Sequence, residues 1–172
     1  NPSVVPHPDQ SGLDQHTVRV LMSLRAVGEG HISTIAFREG LVSDRGGLEL
    51  APEPPIAVAA DAPDLDTLCT HCAVTVYRNE DANLSGTVIF PVTAAQQNGL
   101  EDLRLTYFTH DDGSAQYIGT YTAFSGREIR SELLRTRDFR SCELVPMTGD
   151  ATRNKGLALF PQKIGGQYMM IG

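Results

Sequence analysis

Apolar and polar residues alternate along much of this chain, whereas the three-to-four-residue spacing of an amphipathic helix is scarce. Alternation with a period of two predicts half-buried β-strands. Strands are predicted over residues 18–24, 32–37, 73–78, 86–90, 103–109, 117–124, 128–136, 157–160 and 167–171. The pattern therefore indicates an all-β protein of antiparallel strands, in a sandwich, a barrel or a propeller.

Turn residues between these segments predict how neighbouring strands pair. Asp112-Gly113 and Gly165-Gly166 have the chemistry of hairpin turns. Hairpins are predicted between 73–78 and 86–90, between 103–109 and 117–124, and between 157–160 and 167–171. Residues 40–68 contain four prolines, so we expect an irregular connection there.

Length and charge restrict the function. A chain of 172 residues fits one domain, and its formal net charge is −7. Such an acidic protein is not expected to bind nucleic acid or an anionic membrane, although a local basic pocket for one phosphate is compatible with it. No apolar run approaches the roughly 20 residues of a membrane span, and no signal peptide is visible in these residues.

The three cysteines do not form a disulfide framework, because their number is odd. Cys69-Thr-His-Cys72 has the spacing of half a zinc site or of a redox pair. Zinc would need two further clustered ligands, and a redox pair of the thioredoxin type needs a βαβ context, which the pattern lacks. We therefore expect ordinary reduced thiols and no metal.

A few charged residues at strand ends are candidates for chemistry. Glu101 and Asp102 enter a predicted strand, with Arg104 two residues on; on a regular strand Asp102 and Arg104 share a face and Glu101 points the other way. Arg25 ends an apolar strand, and Lys155 precedes another. From spacing alone each of these is either a functional group or a solvated strand-end charge.

Taken together, four stretches resemble glycoside hydrolase family 130, the mannoside phosphorylases and related mannosidases. They are Asn1-Pro-Ser3; Leu24-Arg25 followed by Gly30-His-Ile-Ser33; Gly99-Leu-Glu-Asp-Leu-Arg104; and Asn154-Lys-Gly-Leu-Ala-Leu-Phe-Pro-Gln-Lys-Ile-Gly-Gly-Gln-Tyr168. The last is the most specific. Leu103 departs from the Pro or Ala of the family signature, and residues 40–95 match poorly.

The resemblance implies a fold and a place for this chain in it. The family fold is a five-bladed β-propeller with an axial active site. On that basis residues 1–172 are expected to form the N-terminal part, about half, of one such domain. Blades of about 40 residues with four short strands agree with the strand spacing after residue 103.

The resemblance also implies a reaction and roles for six residues. Asp102 is expected to protonate the glycosidic oxygen through the mannosyl 3-hydroxyl while phosphate attacks the anomeric carbon with inversion, giving mannose 1-phosphate. The residues expected to contact the sugar are Asn1, Arg25 and Glu101. Lys155 is expected to bind phosphate, and Arg104 is expected to orient Asp102. Phosphate is already a nucleophile, so no second carboxylate is needed to activate water, as an inverting hydrolase requires.

Two alternatives stay open at this point: an inverting β-mannosidase of the same family, and a non-catalytic glycan-binding propeller. The expected partners are a β-mannoside and inorganic phosphate as co-substrate, with no cofactor. Self-association into a homo-oligomer is left open. A cytoplasmic location is expected from the reduced cysteines and from the habit of such phosphorylases.

Overall fold

Thirteen strands contain just under half of the residues in the computed structural model, which describes residues 2–62 and 72–172. The strands are β1 Ser3–Pro6, β2 Thr17–Val27, β3 Ser33–Ser43, β4 Leu48–Leu50, β5 Val58–Ala59, β6 Val74–Tyr77, β7 Thr87–Ile89, β8 Gly99–Thr109, β9 Ala115–Phe124, β10 Ile129–Thr136, β11 Ser141–Pro146, β12 Ala158–Leu159 and β13 Met170–Ile171. One-turn 3-10 helices lie at Glu29–His31, Leu84–Gly86, Ala94–Gln96 and Asp150–Arg153. No helix in the described ranges is long and apolar enough to cross a membrane.

The all-β prediction is confirmed, and most predicted pairings are found. As predicted, β8 pairs antiparallel with β9, and β12 with β13. β2 also pairs antiparallel with β3, a pairing that was not predicted. The hairpin predicted between 73–78 and 86–90 is wrong, because β6 pairs with β11 and β7 pairs with β3. The Asn83 side chain accepts a hydrogen bond from the Gly86 amide at 2.7 Å, which closes the turn that directs β7 away from β6.

Apart from β12 and β13, which form a separate two-stranded sheet, the strands form one large mixed sheet rather than separate blades. Eleven strands belong to it, and its main path runs β1-β2-β3-β8-β9-β10-β11-β6 without closing on itself. β3 and β8 meet through a parallel pair, Ser33 opposite Gly99, which joins the two antiparallel meanders. The prediction of a five-bladed β-propeller is therefore wrong: neighbouring meanders are continuous through backbone pairing instead of standing as independent blades about an axis.

The principal core lies on one face of this sheet and gathers aromatic side chains from distant strands. Phe37 of β3 meets Phe139 edge-on at 5.5 Å between ring centroids, and Tyr117 of β9 lies 4.7 Å from Phe139. Leu100 and Leu134 are completely buried beside them. Burying side chains of this size stabilises a fold by about 1.5–3 kcal/mol each.

A second, smaller core covers the other face of the β8–β9 hairpin. Phe108, Ile118 and Leu159 are buried together there, and Met170 packs against them. β9 is therefore covered on both sides: residues 117–123 are all buried, and each of them is apolar, hydroxyl-bearing or glycine. The chain from residue 150 onward thus forms a layer over the strand that carries Asp102.

A polar tie connects the end of β1 to β3 and to the turn before β7. His7 Nε2 lies 3.2 Å from Glu39 Oε1, and the Ser85 hydroxyl donates to Glu39 Oε2 at 2.8 Å. The hydrogen bond from His7 is the main cause that lowers the pKa of Glu39 from 4.5 to about 2; partial burial opposes the shift and the Ser85 bond adds to it. The ionised carboxylate therefore stabilises the fold.

We expect Glu39→Gln to lower the free energy of unfolding by about 2 kcal/mol near pH 7. Since the pKa of Glu39 is lowered on folding, its contribution is present above pH 4.5 and is lost as the pH falls from 4.5 towards 2. Urea unfolding at pH 7 and near pH 2 measures this. Glu49→Gln, on exposed β4, is the matched control; an equal Glu39→Gln effect at both pH values would contradict the prediction.

Candidate functional site

The candidate site is built on a β-bulge in β8. Glu101 pairs with Thr122 and Arg104 pairs with Thr120, so Asp102 and Leu103 together oppose Tyr121 alone. Asp102 takes the left-handed conformation, with a φ of 51°. A non-glycine residue in this region is uncommon, and bulges often re-aim a side chain beside an active site. The bulge therefore singles out Asp102 on structural grounds.

Two serines hold the bulge in place by satisfying backbone groups that it leaves unpaired. The hydroxyl of buried Ser23 donates to the Leu103 carbonyl at 3.1 Å, and the Ser3 hydroxyl accepts from the Leu105 amide at 2.9 Å. The two serine oxygens are 2.6 Å apart, where β1 pairs with β2. Buried backbone groups need such partners, so the distorted conformation at Asp102 is fixed by its surroundings.

Arg25 of β2 brings the two acidic residues of β8 together. Its Nη2 donates to Glu101 Oε1 at 2.9 Å, and its Nη1 lies 3.8 Å from Asp102 Oδ1. The Nε donates to the hydroxyl of buried Ser33 at 2.9 Å, which fixes the direction of the guanidinium. Glu101 and Asp102 therefore both reach Arg25, whereas a regular strand would place them on opposite faces; the bulge is the reason.

The segment before β12 is held against the sheet by two hydroxyl groups. Thr120 of β9 donates to the Leu157 carbonyl, and Ser131 of β10 donates to the Asn154 carbonyl at 2.7 Å. Both hydroxyl groups lie on the sheet face that this segment covers, beside the Asp102 bulge. Lys155, between the two carbonyls, is thereby placed next to the start of β8.

Lys155 and Arg104 complete the cluster. Lys155 Nζ lies 3.5 Å from Glu101 Oε2, and its side chain is more than half exposed, so it can also meet a solute. Arg104 runs along Gly156: a Cβ on that glycine would stand 3.2 Å from Arg104 Nη2. No ion pair joins Arg104 to Asp102, two described residues, so the orienting role expected of Arg104 has no direct contact behind it.

A buried polar group lies beneath the bulge, on the core side of the sheet. The Tyr121 hydroxyl donates to Glu132 Oε2 at 2.5 Å, and Gln96 Nε2 donates to the same oxygen at 2.8 Å. Burial and the neighbouring Glu132 raise the pKa of Tyr121 well above 10. Tyr121 therefore stays a neutral hydrogen-bond donor, and its partners fix the residue that opposes the bulge.

The structure brings five of the six residues predicted from the sequence to one place: Arg25, Glu101, Asp102, Arg104 and Lys155. Asn1 lies outside the described residues. The sequence reasoning missed the supporting hydroxyl groups, namely Ser3, Ser23, Ser33, Thr120 and Ser131. Only Ser3 and Ser33 had a signal, because they belong to the motif stretches.

The cysteines differ from expectation in part. Cys72 is disulfide-bonded, so the prediction of a reduced thiol is wrong for this residue. Cys142 is a free thiol in the core, and burial raises its pKa to about 12, which makes it unreactive. The Cys69 and His71 part of the motif lies outside the described residues. Within the described ranges, no group of three or more His, Cys, Asp or Glu side chains is placed to hold a metal ion.

Comparison of the chain with family models, with curated proteins and with solved structures finds no match in any of the three. The function is therefore argued from the geometry of the cluster and from the motif resemblance alone.

Proposed function

We propose that this protein cleaves β-mannosidic linkages by inverting phosphorolysis and releases mannose 1-phosphate. The observation that carries the proposal is the convergence of Arg25, the Glu101–Asp102 pair and Lys155, from three distant segments, on one bulge. These are the charged residues that the motifs selected. Strained backbone positions of this kind cluster at active sites and ligand-binding sites, which supports a functional role for the bulge.

Asp102 is the proton donor in this mechanism. Its carboxyl group is one-third exposed beside Arg25, so a sugar hydroxyl can reach it. The proton passes from Asp102 to the mannosyl 3-hydroxyl, whose own proton goes to the glycosidic oxygen as the bond to the anomeric carbon breaks. A phosphate oxygen forms the new bond on the opposite face. The products are a free acceptor sugar and mannose 1-phosphate.

Lys155 supplies the positive charge that phosphate needs, whereas Arg25 is placed to contact the sugar. Glu101 lies between them, 2.9 Å from Arg25 and 3.5 Å from Lys155, and holds both cations close to Asp102. The Lys155 ammonium is a point charge on a flexible stem and can turn towards an oxyanion. Because phosphate is already a nucleophile, the proposed reaction needs no second carboxylate to activate water.

The test is to incubate the protein with β-mannobiose, with and without inorganic phosphate, and to measure mannose 1-phosphate and mannose separately. We expect mannose 1-phosphate in the presence of phosphate, and a KM for phosphate at least about tenfold higher in Lys155→Gln. Lys163→Gln is the matched control, because Lys163 pairs with Asp111 elsewhere on the surface.

Two other results would overturn the proposal. Release of free mannose, independent of phosphate, would identify an inverting β-mannosidase. Sugar binding without turnover, unchanged in Asp102→Asn, would identify a non-catalytic glycan-binding protein.

A further inference from the structure

A second group of basic side chains lines an open cavity at the start of β10. The cavity has a volume of about 650 Å³ and lies between the turn that follows β9 and the one-turn helix Asp150–Arg153. It shares no lining residue with the Asp102 cluster, which consists of Arg25, Glu101, Asp102, Arg104 and Lys155. Its lining residues are Arg127, Glu128, Ile129, Arg130, Gly149, Asp150, Thr152 and Arg153.

Of the three arginines that line this cavity, one forms an ion pair with another described residue. Arg130 pairs with Glu128 at 3.5 Å. Arg127 and Arg153 have no ion pair and no side-chain hydrogen bond to any described residue. Arg127 and Arg153 thus line one cavity in a protein whose formal net charge is −7. Arginines outnumber carboxylates in the lining by three to two, and this excess of positive charge favours a bound anion.

Both walls of the cavity are ordered by hydrogen bonds. In the turn after β9, the Ser125 amide donates to the Glu128 carbonyl at 3.1 Å, and the Glu128 amide donates to the Ser125 hydroxyl at 3.0 Å. In the opposite wall, buried Thr152 donates through its hydroxyl to the Gly149 carbonyl at 2.7 Å. The arginines therefore project from fixed backbone, which lowers the entropy cost of holding a ligand.

We propose that this cavity binds a phosphorylated sugar, with Arg127 and Arg153 on the phosphate group. Guanidinium groups recognise phosphate oxygens through paired N–H donors. The volume falls in the range of small-molecule sites, about 300–1,000 Å³, and leaves room for a sugar ring beside the phosphate. The carboxylates of Glu128 and Asp150 line the same space and are hydrogen-bond acceptors for sugar hydroxyls. This site does not depend on the proposed phosphorolysis.

Calorimetric titration with glucose 6-phosphate tests the proposal, with glucose and inorganic phosphate as the other probes. We expect glucose 6-phosphate to bind more tightly than phosphate, and glucose alone not to bind measurably. Arg127→Gln and Arg153→Gln should each weaken binding at least about tenfold, the usual loss for one charge-assisted contact. Arg45→Gln, a change at an exposed turn arginine elsewhere, should leave binding unchanged.

Separate variants distinguish this site from the Asp102 cluster. Lys155→Gln should bind glucose 6-phosphate as the parent protein does, even though it weakens phosphate use in the assay above. Arg127 and Arg153 are exposed, so thermal unfolding of their variants should match the parent. The proposal is overturned if the parent does not bind glucose 6-phosphate, if both arginine variants bind it unchanged, if Lys155→Gln abolishes binding, or if phosphate alone binds equally well.

Discussion

Asp102→Asn should lower the rate of mannobiose phosphorolysis by about 10²–10⁴-fold, the usual contribution of a general acid. Asparagine keeps the size of the side chain and tolerates the left-handed conformation, with a φ of 51°, that residue 102 adopts. The backbone of the bulge should therefore persist, and the variant should unfold at nearly the parent temperature. Steady-state kinetics with mannose 1-phosphate as the measured product gives the result.

A substrate with a better leaving group tests the role of Asp102 as proton donor more directly. A 4-nitrophenyl mannoside needs little protonation of its leaving oxygen, so Asp102→Asn should lose much less activity on it than on mannobiose. Asp112→Asn, in the exposed turn between β8 and β9, makes the same chemical change away from the site and should keep full activity. Equal losses on both substrates would contradict a role for Asp102 as proton donor.

The alternation of apolar and polar residues predicted nine of the thirteen strands and the β8–β9 hairpin, because each of these is decided by residues close together in the sequence. It missed β1, β4, β5 and β11, and β4 and β5 lie in the segment that was expected to be irregular. The larger architecture was not predictable in this way. The joint between β3 and β8 depends on Ser33 meeting Gly99, a contact between distant segments. Period-two alternation carries no information about which strand lies beside which.

The bulge shows where the sequence held a signal that simple alternation overlooked. Leu100 and Leu103 are an odd number of residues apart, yet both are buried in the principal core. On a regular strand they would face opposite sides of the sheet. The bulge inserts one extra residue between them, so both leucines face the same side of the sheet. The same distortion turns the Asp102 side chain towards Arg25. The spacing of these two leucines therefore indicates a bulge, whereas strict alternation predicts that Glu101 and Asp102 point to opposite faces of the sheet.

The supporting hydroxyl groups outside the motif stretches, those of Ser23, Thr120 and Ser131, were not predictable from the sequence. Ser23 and Thr120 are buried because backbone carbonyls of distant segments need donors at those points. Serine and threonine in a strand occur on either face of a sheet, so the residue type alone does not predict which face the side chain occupies. Their role follows only from the tertiary contacts of β2 with β8 and of β9 with the segment before β12.

Gly99→Ala should be the most damaging small substitution at the site, with a loss of about 2–5 kcal/mol in the free energy of unfolding. Gly99 has a φ of +147°, a conformation that strains any other residue, and an added Cβ would stand 2.9 Å from the Ser33 Cβ and 3.0 Å from its amide nitrogen. The strain costs about 1–3 kcal/mol and the overpacking about as much again. Urea unfolding at neutral pH measures the total.

Gly46→Ala separates the two contributions, because Gly46 also has a positive φ, +84°, but an added Cβ meets nothing within 4 Å. It should cost only the conformational part, about 1 kcal/mol. If Gly99→Ala lowers the free energy of unfolding no more than Gly46→Ala does, the close approach of β8 to β3 does not require a glycine at position 99.

The same substitution connects the fold to the site. Ser33, which the added methyl group would displace, accepts the hydrogen bond from Arg25 Nε. Folded Gly99→Ala should therefore lose activity through a misplaced Arg25, and the activity losses of Gly99→Ala and Ser33→Ala should be less than additive in the double variant, since both act through one contact. Fully additive losses would mean that the glycine affects the site by another route than Ser33.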